Sequence, residues 1–214
     1  MRPKVTVVDY GLGNLFSVSR ALEYCGAEVE LSDSIPAVAH ADRLILPGVG
    51  AFANGMDGLK QRGLVEPILE FVKSGKPFMG ICLGMQMMLS CSEEHGYHEG
   101  LGIIPGRVSP IPATGTDGRP HKIPHIGWSE IVRPAHVASW DGTLLAGIET
   151  NPYAYFVHSF TAMPEDPAHR LADCHYDRRT ISAVIKAGAA YGCQFHPERS
   201  GPIGLKIIAN FLNL

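Results

Sequence analysis

Short apolar runs alternate with amphipathic segments along the first half of the chain. The β-branched run Val5 to Val8 predicts a strand buried on both faces. Asn14 is a suitable N-cap for a following helix, and Gly26 ends that helix. Further strands are predicted at 27–31, 43–46 and 76–81, and helices at 15–24, 63–73 and 83–89. Because strands that alternate with helices form βαβ units, this half predicts a parallel sheet with right-handed crossovers.

The pattern changes in the second half. Pro and Gly become frequent and helical periodicity is weak from 104 to 140, which predicts loops and short antiparallel strands. Strand candidates follow at 153–160, 181–185 and 191–195, and an amphipathic helix at 202–214. We therefore predict a three-layer α/β fold in a single domain over residues 1–214. Its central sheet is largely parallel and flanked by helices, with a smaller antiparallel portion in the second half.

Composition narrows the function classes. The chain has 214 residues, 45% hydrophobic and 18% charged, which is enough to bury a sizeable core. Its formal net charge is −3 and no block of Lys and Arg is present, which argues against nucleic acid or an anionic membrane as a partner. The N-terminal segment reads as a first strand and not as a secretory signal, and no apolar run approaches the roughly 20 residues that span a bilayer. We expect a cytoplasmic protein.

Cysteine and histidine spacing predicts neither a disulfide framework nor a metal site. The cysteines are odd in number and never occur as CxxC. The close pairs His95/His98 and His121/His125 lack a third ligand at a recognisable spacing, so loop histidines are the simpler interpretation. No cofactor is expected. The five cysteines are Cys25, Cys82, Cys91, Cys174 and Cys193.

One cysteine stands at a predicted strand–helix junction, in the segment GICLGMQMM. Cys82 has Gly80 two residues before it and Gly84 two residues after it, which is the spacing of a nucleophile elbow. In such a turn the following helix favours the thiolate, and the N–H of Leu83 is free to bind an oxyanion. Free cysteines are more often small buried hydrophobes. The elbow pattern alone leaves both interpretations open.

A candidate base lies in the segment YGCQFHPERS. His196 ends a predicted strand, and Pro197 cannot continue the ladder. Residues i and i+2 of an extended segment face the same side, so Glu198 could hold one imidazole nitrogen while the other faces the thiol. A surface strand end is the alternative. Together with the elbow, however, the segment predicts a Cys–His–Glu site at the C-terminal ends of the strands.

A glycine-rich loop, LPGVGAF, follows the third predicted strand. Its backbone N–H groups can approach a ligand closely. No Gly-Lys-Ser/Thr follows, and the segment GLGN lacks the third glycine of a dinucleotide fingerprint. We therefore favour an oxyanion or carboxylate role near Val49 over nucleotide binding.

These motifs, PGVG, GICLGMQ and QFHPE in this order, resemble the class I (triad) glutamine amidotransferases, which have a flavodoxin-like α/β fold. The segments DYGLGNL, PHIGW and YFVHSF are similar to one subfamily in particular, the glutaminase subunits of imidazole glycerol phosphate synthase in histidine biosynthesis. The resemblance covers essentially the whole chain. It is carried by short motifs whose ordered combination is specific.

The resemblance implies hydrolysis of glutamine to glutamate and ammonia. Cys82 would attack the side-chain amide, and His196, oriented by Glu198, would protonate the leaving ammonia and then activate water. Backbone N–H groups of Val49 and Leu83 would form the oxyanion hole. The residues implied in holding glutamine are Gly50, Gln86, Glu94, His158, Ser159 and Phe160.

The resemblance also implies a partner. The family glutaminase forms a heterodimer with a (β/α)8-barrel cyclase and delivers ammonia through the barrel, yielding imidazole glycerol phosphate and an aminoimidazole carboxamide ribotide. Positions expected near that interface are Asn14, His125, Trp128 and Arg199. Ser129, Phe160 and Arg199 stand where Asn, Tyr and Lys are frequent in the subfamily, and these departures leave the three predicted catalytic residues unchanged.

Three alternatives remain at this point. Another glutaminase of the class, feeding purine, pyridoxal phosphate or aminobenzoate synthesis, would share the Cys–His–Glu set. A different cysteine hydrolase, such as a γ-glutamyl peptidase, could use Cys82 and His196. A non-enzymatic regulatory module would not need all three residues.

Overall fold

A computed structural model describes residues 2–148 and 152–214 of the protein. The strands of these residues are β1 Lys4–Val8, β2 Glu28–Ser32, β3 Leu44–Gly48, β4 Phe78–Cys82, β5 Leu89–Ser92, β6 His98–Glu99, β7 Ile104–Pro110, β8 His125–Val132, β9 Tyr153–His158, β10 Phe160–Pro164, β11 Arg170–Tyr176, β12 Arg179–Ala187 and β13 Ala190–Cys193. The α-helices are α1 Leu15–Tyr24, α2 Ile35–Ala39, α3 Phe52–Gln61, α4 Val65–Lys73, α5 Leu83–Met87 and α6 Gly201–Leu212. Short 3-10 turns occupy Pro167–His169 and Pro197–Arg199.

A nine-stranded mixed sheet forms the centre, in the order β2-β1-β3-β4-β13-β12-β11-β8-β9. Pairing is parallel from β2 to β13 and antiparallel from β13 to β9. A second sheet has the order β10-β7-β5-β6. The predicted α/β class with a helix-flanked sheet is confirmed, and the antiparallel part is larger than predicted.

Alternation along the central strands builds the three layers. In β3, Ile45 belongs to one apolar cluster, whereas Leu44 and Leu46 belong to the other. The first cluster contains buried residues of α1 and α6, and the second contains those of α2, α3 and α4. Because side chains alternate between the faces of a sheet, the apolar runs read from the sequence bury both faces.

Several boundaries differ from the sequence prediction. Strand β3 continues through Pro47 and Gly48, because β1 pairs with β3 only at its start and Pro47 therefore meets one neighbour strand only. The helix predicted at 83–89 ends at Met87, and the strand predicted at 153–160 divides at Ser159 into β9 and β10. Elements α2, α3, β5, β6 and β11 were not predicted. The elements α2, β5 and β6 have at most five residues, and β11 lacks strict alternation. Helix α3 has apolar residues at helical spacing, but Gly55 and Gly58 lower its helix propensity.

The described part of the chain has no helix long and apolar enough to cross a membrane. Within residues 2–148 and 152–214, no three His, Cys, Asp or Glu side chains are grouped so as to hold a metal ion.

Candidate active site

Cys82 lies at the junction of β4 and α5, as the elbow pattern predicts. Its backbone has φ 54° and ψ −108°, a conformation that favours glycine and costs a side-chain-bearing residue about 1–3 kcal/mol. The residue is 8% exposed. The chain therefore turns sharply here and presents the sulfur at the C-terminal end of the parallel strands.

Glycines permit the close packing around this turn. A Cβ at Gly84 would lie 1.8 Å from the carbonyl oxygen of Leu46, and one at Gly80 would lie 2.6 Å from the carbonyl oxygen of Gly84. At Gly48, the last residue of β3, a Cβ would approach the Tyr10 hydroxyl to 2.5 Å. No larger residue fits these positions without moving backbone, so the elbow depends on glycine at each of them.

The helix after the elbow is shorter than predicted. Helix α5 has five residues, so its dipole offers Cys82 less stabilisation than a longer helix would. The N–H of Leu83, at the first helical position, has no intrahelical carbonyl partner and remains available to a ligand.

His196 and Glu198 form a hydrogen-bonded pair, with Nδ1 of His196 2.8 Å from Oε1 of Glu198. The reason differs from the predicted one. Strand β13 ends at Cys193, and the 3-10 turn Pro197–Arg199, rather than an extended segment, brings the two side chains together. Because the carboxylate oxygen accepts, His196 carries its proton on Nδ1 in the neutral form, and Nε2 is left for other partners.

The charge state of His196 reflects its neighbours. Burial lowers the pKa of His196, but hydrogen bonding and charge from Cys82 and Glu198 outweigh burial and raise the pKa to about 10. A buried imidazole that gains a proton beside a sulfur and a carboxylate can exchange protons with a nucleophile and a leaving group. This arrangement suits acyl transfer through a cysteine.

A cavity of about 590 Å³ opens at Cys82 and brings together most of the sites predicted from the sequence. It is lined by Val49, Gly50, Cys82, Leu83, Gln86, Glu94, His95, Pro124, Val157, His158, Ser159, Phe160 and His196. Glu198 is not among the lining residues and sits behind His196, facing a surface recess beside α1. The predicted nucleophile, base, oxyanion donors and glutamine-binding residues thus share one cavity.

Two contacts hold the loop that carries Val49. The Tyr10 hydroxyl donates to the carbonyl oxygen of Pro47 at 2.8 Å, and the Phe52 N–H donates to Oε2 of Glu94 at 2.7 Å. The loop is thereby fixed before and after Val49, whose residue surface is exposed at the cavity mouth. No role was predicted for Tyr10, because its place in the DYGLGNL motif carries no signal for a contact with the third strand.

A series of hydrogen-bonded polar groups connects the inner face of β8 to the cavity. Ser129 Oγ lies 2.8 Å from Nε2 of His125, Nδ1 of His125 lies 3.0 Å from Nε2 of His158, and Nδ1 of His158 lies 2.8 Å from the Phe160 carbonyl oxygen. Since a carbonyl only accepts, Nδ1 of a neutral His158 must donate, and this fixes the tautomers of both rings. Burial lowers the pKa of His125 to about 4 and that of His158 to about 3, so both rings are neutral near pH 7.

Two buried amides continue from the same carbonyl. Nε2 of Gln86 donates to the Phe160 oxygen and to Oε1 of Gln194, each at 3.1 Å, and Nε2 of Gln194 lies 3.8 Å from Sγ of Cys82. Gln194 belongs to the QFHPE motif, but no role was predicted for it. The signal in the sequence is that Gln194 is a polar residue inside an apolar, strand-like run.

Alternation along β8 separates the residues predicted at a partner interface. Trp128 is 55% exposed and pairs with Tyr155, whereas His125 is 1% exposed and pairs with His158 on the inner face. His125 therefore cannot contact a partner in this conformation, because residues i and i+3 of a strand face opposite sides. Its interface assignment is corrected to a supporting position behind the strand.

The other predicted interface residues are accessible. Arg199 is exposed and its guanidinium lies 5.3 Å from the centre of the Tyr155 ring, which also meets Trp128 edge-on at 6.2 Å. Asn14 is half-buried and caps α1, where its side chain accepts from the Ser17 N–H at 3.4 Å. Their contact with a partner stays a prediction.

Comparisons with known proteins identify the family of this chain. The family model described as glutamine amidotransferase class-I matches residues 6–214. The chain is 56% identical over 210 residues to imidazole glycerol phosphate synthase subunit HisH 1 of Legionella pneumophila (strain Lens), covering 98% of this chain and 99% of that protein. It is 44% identical over 210 residues to imidazole glycerol phosphate synthase subunit HisH of Syntrophotalea carbinolica, covering 97% and 98%.

Solved structures show a related fold. PurLQS from Thermotoga maritima superposes with a TM-score of 0.72 at 21% identity, covering 100% of this chain and 99% of that chain. A crystal structure described as a glutamine amidotransferase gives a TM-score of 0.72 at 15% identity, covering 98% of this chain and 99% of that chain. At these identities the likeness shows the fold alone.

Proposed function

Since the chain belongs to the class I glutamine amidotransferase family, we propose that it hydrolyses glutamine to glutamate and ammonia and passes the ammonia to the cyclase of imidazole glycerol phosphate synthase. The observation that carries this proposal is the cavity in which Cys82 and His196 meet, with Glu198 bonded to the far side of the imidazole. Identity of 56% along nearly the whole chain to a subunit of that synthase supports the histidine-biosynthesis assignment.

In the acylation half of the reaction, the Cys82 sulfur attacks the side-chain amide carbon of glutamine. A carbon–sulfur bond forms, and negative charge develops on the amide oxygen. The N–H groups of Val49 and Leu83 then stabilise this oxyanion. When the carbon–nitrogen bond breaks, protonated His196 gives its proton to the leaving ammonia, which leaves a thioester on Cys82.

In the hydrolysis half, neutral His196 takes a proton from water as the water oxygen attacks the thioester carbon. The same oxyanion donors act again, and the thiolate of Cys82 leaves as glutamate forms. Glu198 touches neither substrate nor sulfur; it holds the imidazole tautomer and stabilises the imidazolium. Gly50, Gln86, Glu94 and the backbone of His158, Ser159 and Phe160 hold the amino-acid end of glutamine.

The partner in this proposal is a (β/α)8-barrel cyclase that forms a heterodimer with the chain. Support comes from the outer face of β8 and β9, where Ile126 and Trp128 are more than half exposed. An exposed apolar patch beside an active site favours a protein contact over solvent. The proposal places the enzyme in the cytoplasm, as one domain over residues 1–214.

The experiment that tests the proposal is co-purification with a matching barrel cyclase, followed by assay of glutamate and ammonia release with and without the cyclase substrate. We expect a one-to-one complex and glutaminase activity that rises when the cyclase ligand is added. A glutaminase that ignores this partner would indicate a purine, pyridoxal phosphate or aminobenzoate pathway instead. Hydrolysis of γ-glutamyl peptides in preference to glutamine would indicate a peptidase.

A further inference from the structure

We propose that Gln194 is a further catalytic residue of this site, one that donates a hydrogen bond from Nε2 to the sulfur of Cys82 and so favours its thiolate. The inference builds on the proposed function, because it concerns the same nucleophile. Gln194 is fully buried, and its side-chain nitrogen lies 3.8 Å from Sγ of Cys82, within the range of a hydrogen bond to sulfur.

The orientation of the Gln194 amide decides whether it donates to the sulfur or opposes it. Amide nitrogen and oxygen are distinguished by their partners, so the network must be followed from a group of known polarity. That group is the carbonyl oxygen of Phe160, which can only accept. It receives Nδ1–H of His158 at 2.8 Å and Nε2–H of Gln86 at 3.1 Å.

The Phe160 carbonyl therefore fixes the Gln86 amide. A reversed Gln86 would place its own oxygen 3.1 Å from the Phe160 oxygen, and two acceptors in contact repel each other. With Gln86 fixed, its second N–H points to Gln194 at 3.1 Å. The atom of Gln194 that receives this bond must be the oxygen, and the atom left facing Cys82 must be the N–H.

The donor acts alongside His196, the charged neighbour of the sulfur. Cys82 is largely buried and α5 has only five residues, so solvent and the helix dipole add little to offsetting the charge of a thiolate. An N–H that is already held in place costs no reorganisation when the charge appears. The same donor serves twice, because the thiolate is the attacking group in acylation and the leaving group when the thioester is hydrolysed.

The bond also predicts which kinetic constant Gln194 controls. Gln86 lines the cavity, whereas Gln194 is buried behind Gln86 and Cys82. Both N–H groups of Gln86 are used inside the protein, which leaves its Oε1 to accept from the substrate. We therefore expect Gln86 to affect glutamine binding and Gln194 to affect the reactivity of sulfur.

The test compares three variants in the full chain. Gln194→Leu removes the donor, and Gln194→Glu keeps the shape and the acceptor for Gln86 but replaces the N–H facing the sulfur by an oxygen. Met85→Leu is the control, because Met85 is equally buried in α5 but packs against Gly192. The first readout is the rate at which iodoacetamide alkylates Cys82 at pH 8, followed by peptide mass spectrometry so that the other cysteines are counted separately.

We expect alkylation of Cys82 to slow about tenfold in both Gln194 variants, the size of effect that a hydrogen bond to a charged group produces, and to stay within twofold of wild type in Met85→Leu. With the cyclase present, kcat should fall by a similar factor while KM for glutamine changes less than twofold. If Gln194→Leu does not fold, Gln194→Glu carries the test.

Unchanged alkylation in a folded Gln194 variant would overturn the proposal, and a raised KM with normal alkylation would reduce Gln194 to a support for Gln86. Failure of the proposed function would give a different experimental result. In that case wild type would release no ammonia from glutamine with the cyclase, while the alkylation comparison would still report on the Gln194–Cys82 bond.

Discussion

Glu94 accepts a hydrogen bond of 2.7 Å from the backbone N–H of Phe52, across the mouth of the cavity. Helix α3 begins at Phe52 and receives no side-chain cap from Ala51, so the carboxylate of Glu94 acts as the cap from another part of the chain. The loop that carries Val49 ends at this helix. Glu94 therefore holds the predicted oxyanion loop in addition to its predicted role in holding glutamine, whose ammonium group its negative charge attracts.

The two roles of Glu94 can be separated by a pair of substitutions. Glu94→Gln retains an oxygen that can cap α3 but removes the negative charge, so we expect a KM for glutamine raised about tenfold with little loss of stability. Glu94→Ala removes both, and should also lower the free energy of unfolding by about 1–2 kcal/mol. Urea unfolding and steady-state kinetics check this. Equal stability of the two variants would contradict the capping role.

The backbone of Cys82 leads to a prediction about stored strain. Both Cys82→Ala and Cys82→Gly should abolish glutaminase activity while leaving the fold intact. Because φ is 54° at this position, the glycine variant should be more stable than the alanine variant by about 1–2 kcal/mol, although glycine is usually the less stable of the two. Urea unfolding of the two variants at one pH measures the difference. An alanine variant as stable as the glycine variant would argue against strain at the elbow.

The His196–Glu198 pair predicts a pH window. The folded-state pKa of His196 is raised above its ordinary 6.5 to about 10, so the folded protein binds this proton more tightly than the unfolded chain does. The resulting stabilisation is fully present below about pH 6.5 and is lost as the pH rises toward 10. Relative to wild type, His196→Ala should therefore be most destabilised near pH 6 and least destabilised near pH 10.

Glu198 should matter less than His196 for the reaction itself. Glu198→Gln leaves an oxygen that can accept from Nδ1, so it should reduce kcat by less than His196→Ala does. Unfolding curves between pH 6 and 10 test the pH dependence expected for His196→Ala. Measurements of kcat test the expected difference between Glu198→Gln and His196→Ala. Equal losses of kcat would show that His196 is oriented by another group.

The neutral pair His125 and His158 predicts the opposite pH dependence. Their folded-state pKa values are lowered, to about 4 and about 3, by burial, with His121 adding to the effect on His125, Asp177 opposing it, and His196 repelling a charge on His158. The stabilisation is therefore fully present above about pH 6.5 and is lost as the pH decreases, because the unfolded chain takes up protons that these two rings do not bind in the folded chain.

The variant His158→Asn removes one of these two protons. Its free energy of unfolding should fall less steeply than that of wild type between pH 6.5 and 4.5, by up to about 1.4 kcal/mol per pH unit. Urea titrations at four or five pH values give the slopes. Parallel slopes would mean that His158 is not held neutral in the folded state.

The outer face of β8 predicts a hot spot. Trp128 is 55% exposed and meets Tyr155, so Trp128→Ala should weaken the complex with a barrel cyclase tenfold or more while leaving the stability of the isolated chain nearly unchanged. Tyr97→Ala is the matched control, because Tyr97 is 71% exposed in the turn between β5 and β6. Calorimetric titration of each variant with the cyclase decides between them. Equal affinities would place the contact elsewhere.

Local patterns in the sequence predicted the parts of the site that local chemistry determines. Glycines two residues either side of Cys82 encode the elbow, and the apolar runs encode the strands that aim it. Glu198 was paired with His196 correctly but for a different reason, since a 3-10 turn replaces the extended segment after β13. The burial of His125 follows from the alternation that exposes Trp128, and the interface assignment overlooked it.

What the sequence could not supply are contacts between elements far apart in the chain. Tyr10 and Pro47 come from different parts of the fold, and Gln194 meets Gln86 across 108 positions. No local pattern specifies such contacts, because they depend on the order of strands in the sheet and on the length of α5. These are also the contacts that fix the orientation of the loop and of the amides around the sulfur.

The alternation of side chains along β8 fixes which residues face a partner and which face the interior. A slip of one residue would bury Trp128 and turn His125 toward solvent, so the register of the strand is locked by both faces at once. The pairing of β8 with β9 also places His125 opposite His158, three positions from the pair formed by Trp128 and Tyr155. Because the hydrogen bond between His125 and His158 lies on the inner face of the strand that carries Trp128, the imidazole resonances of these two rings are suitable spectroscopic reporters of a docked partner.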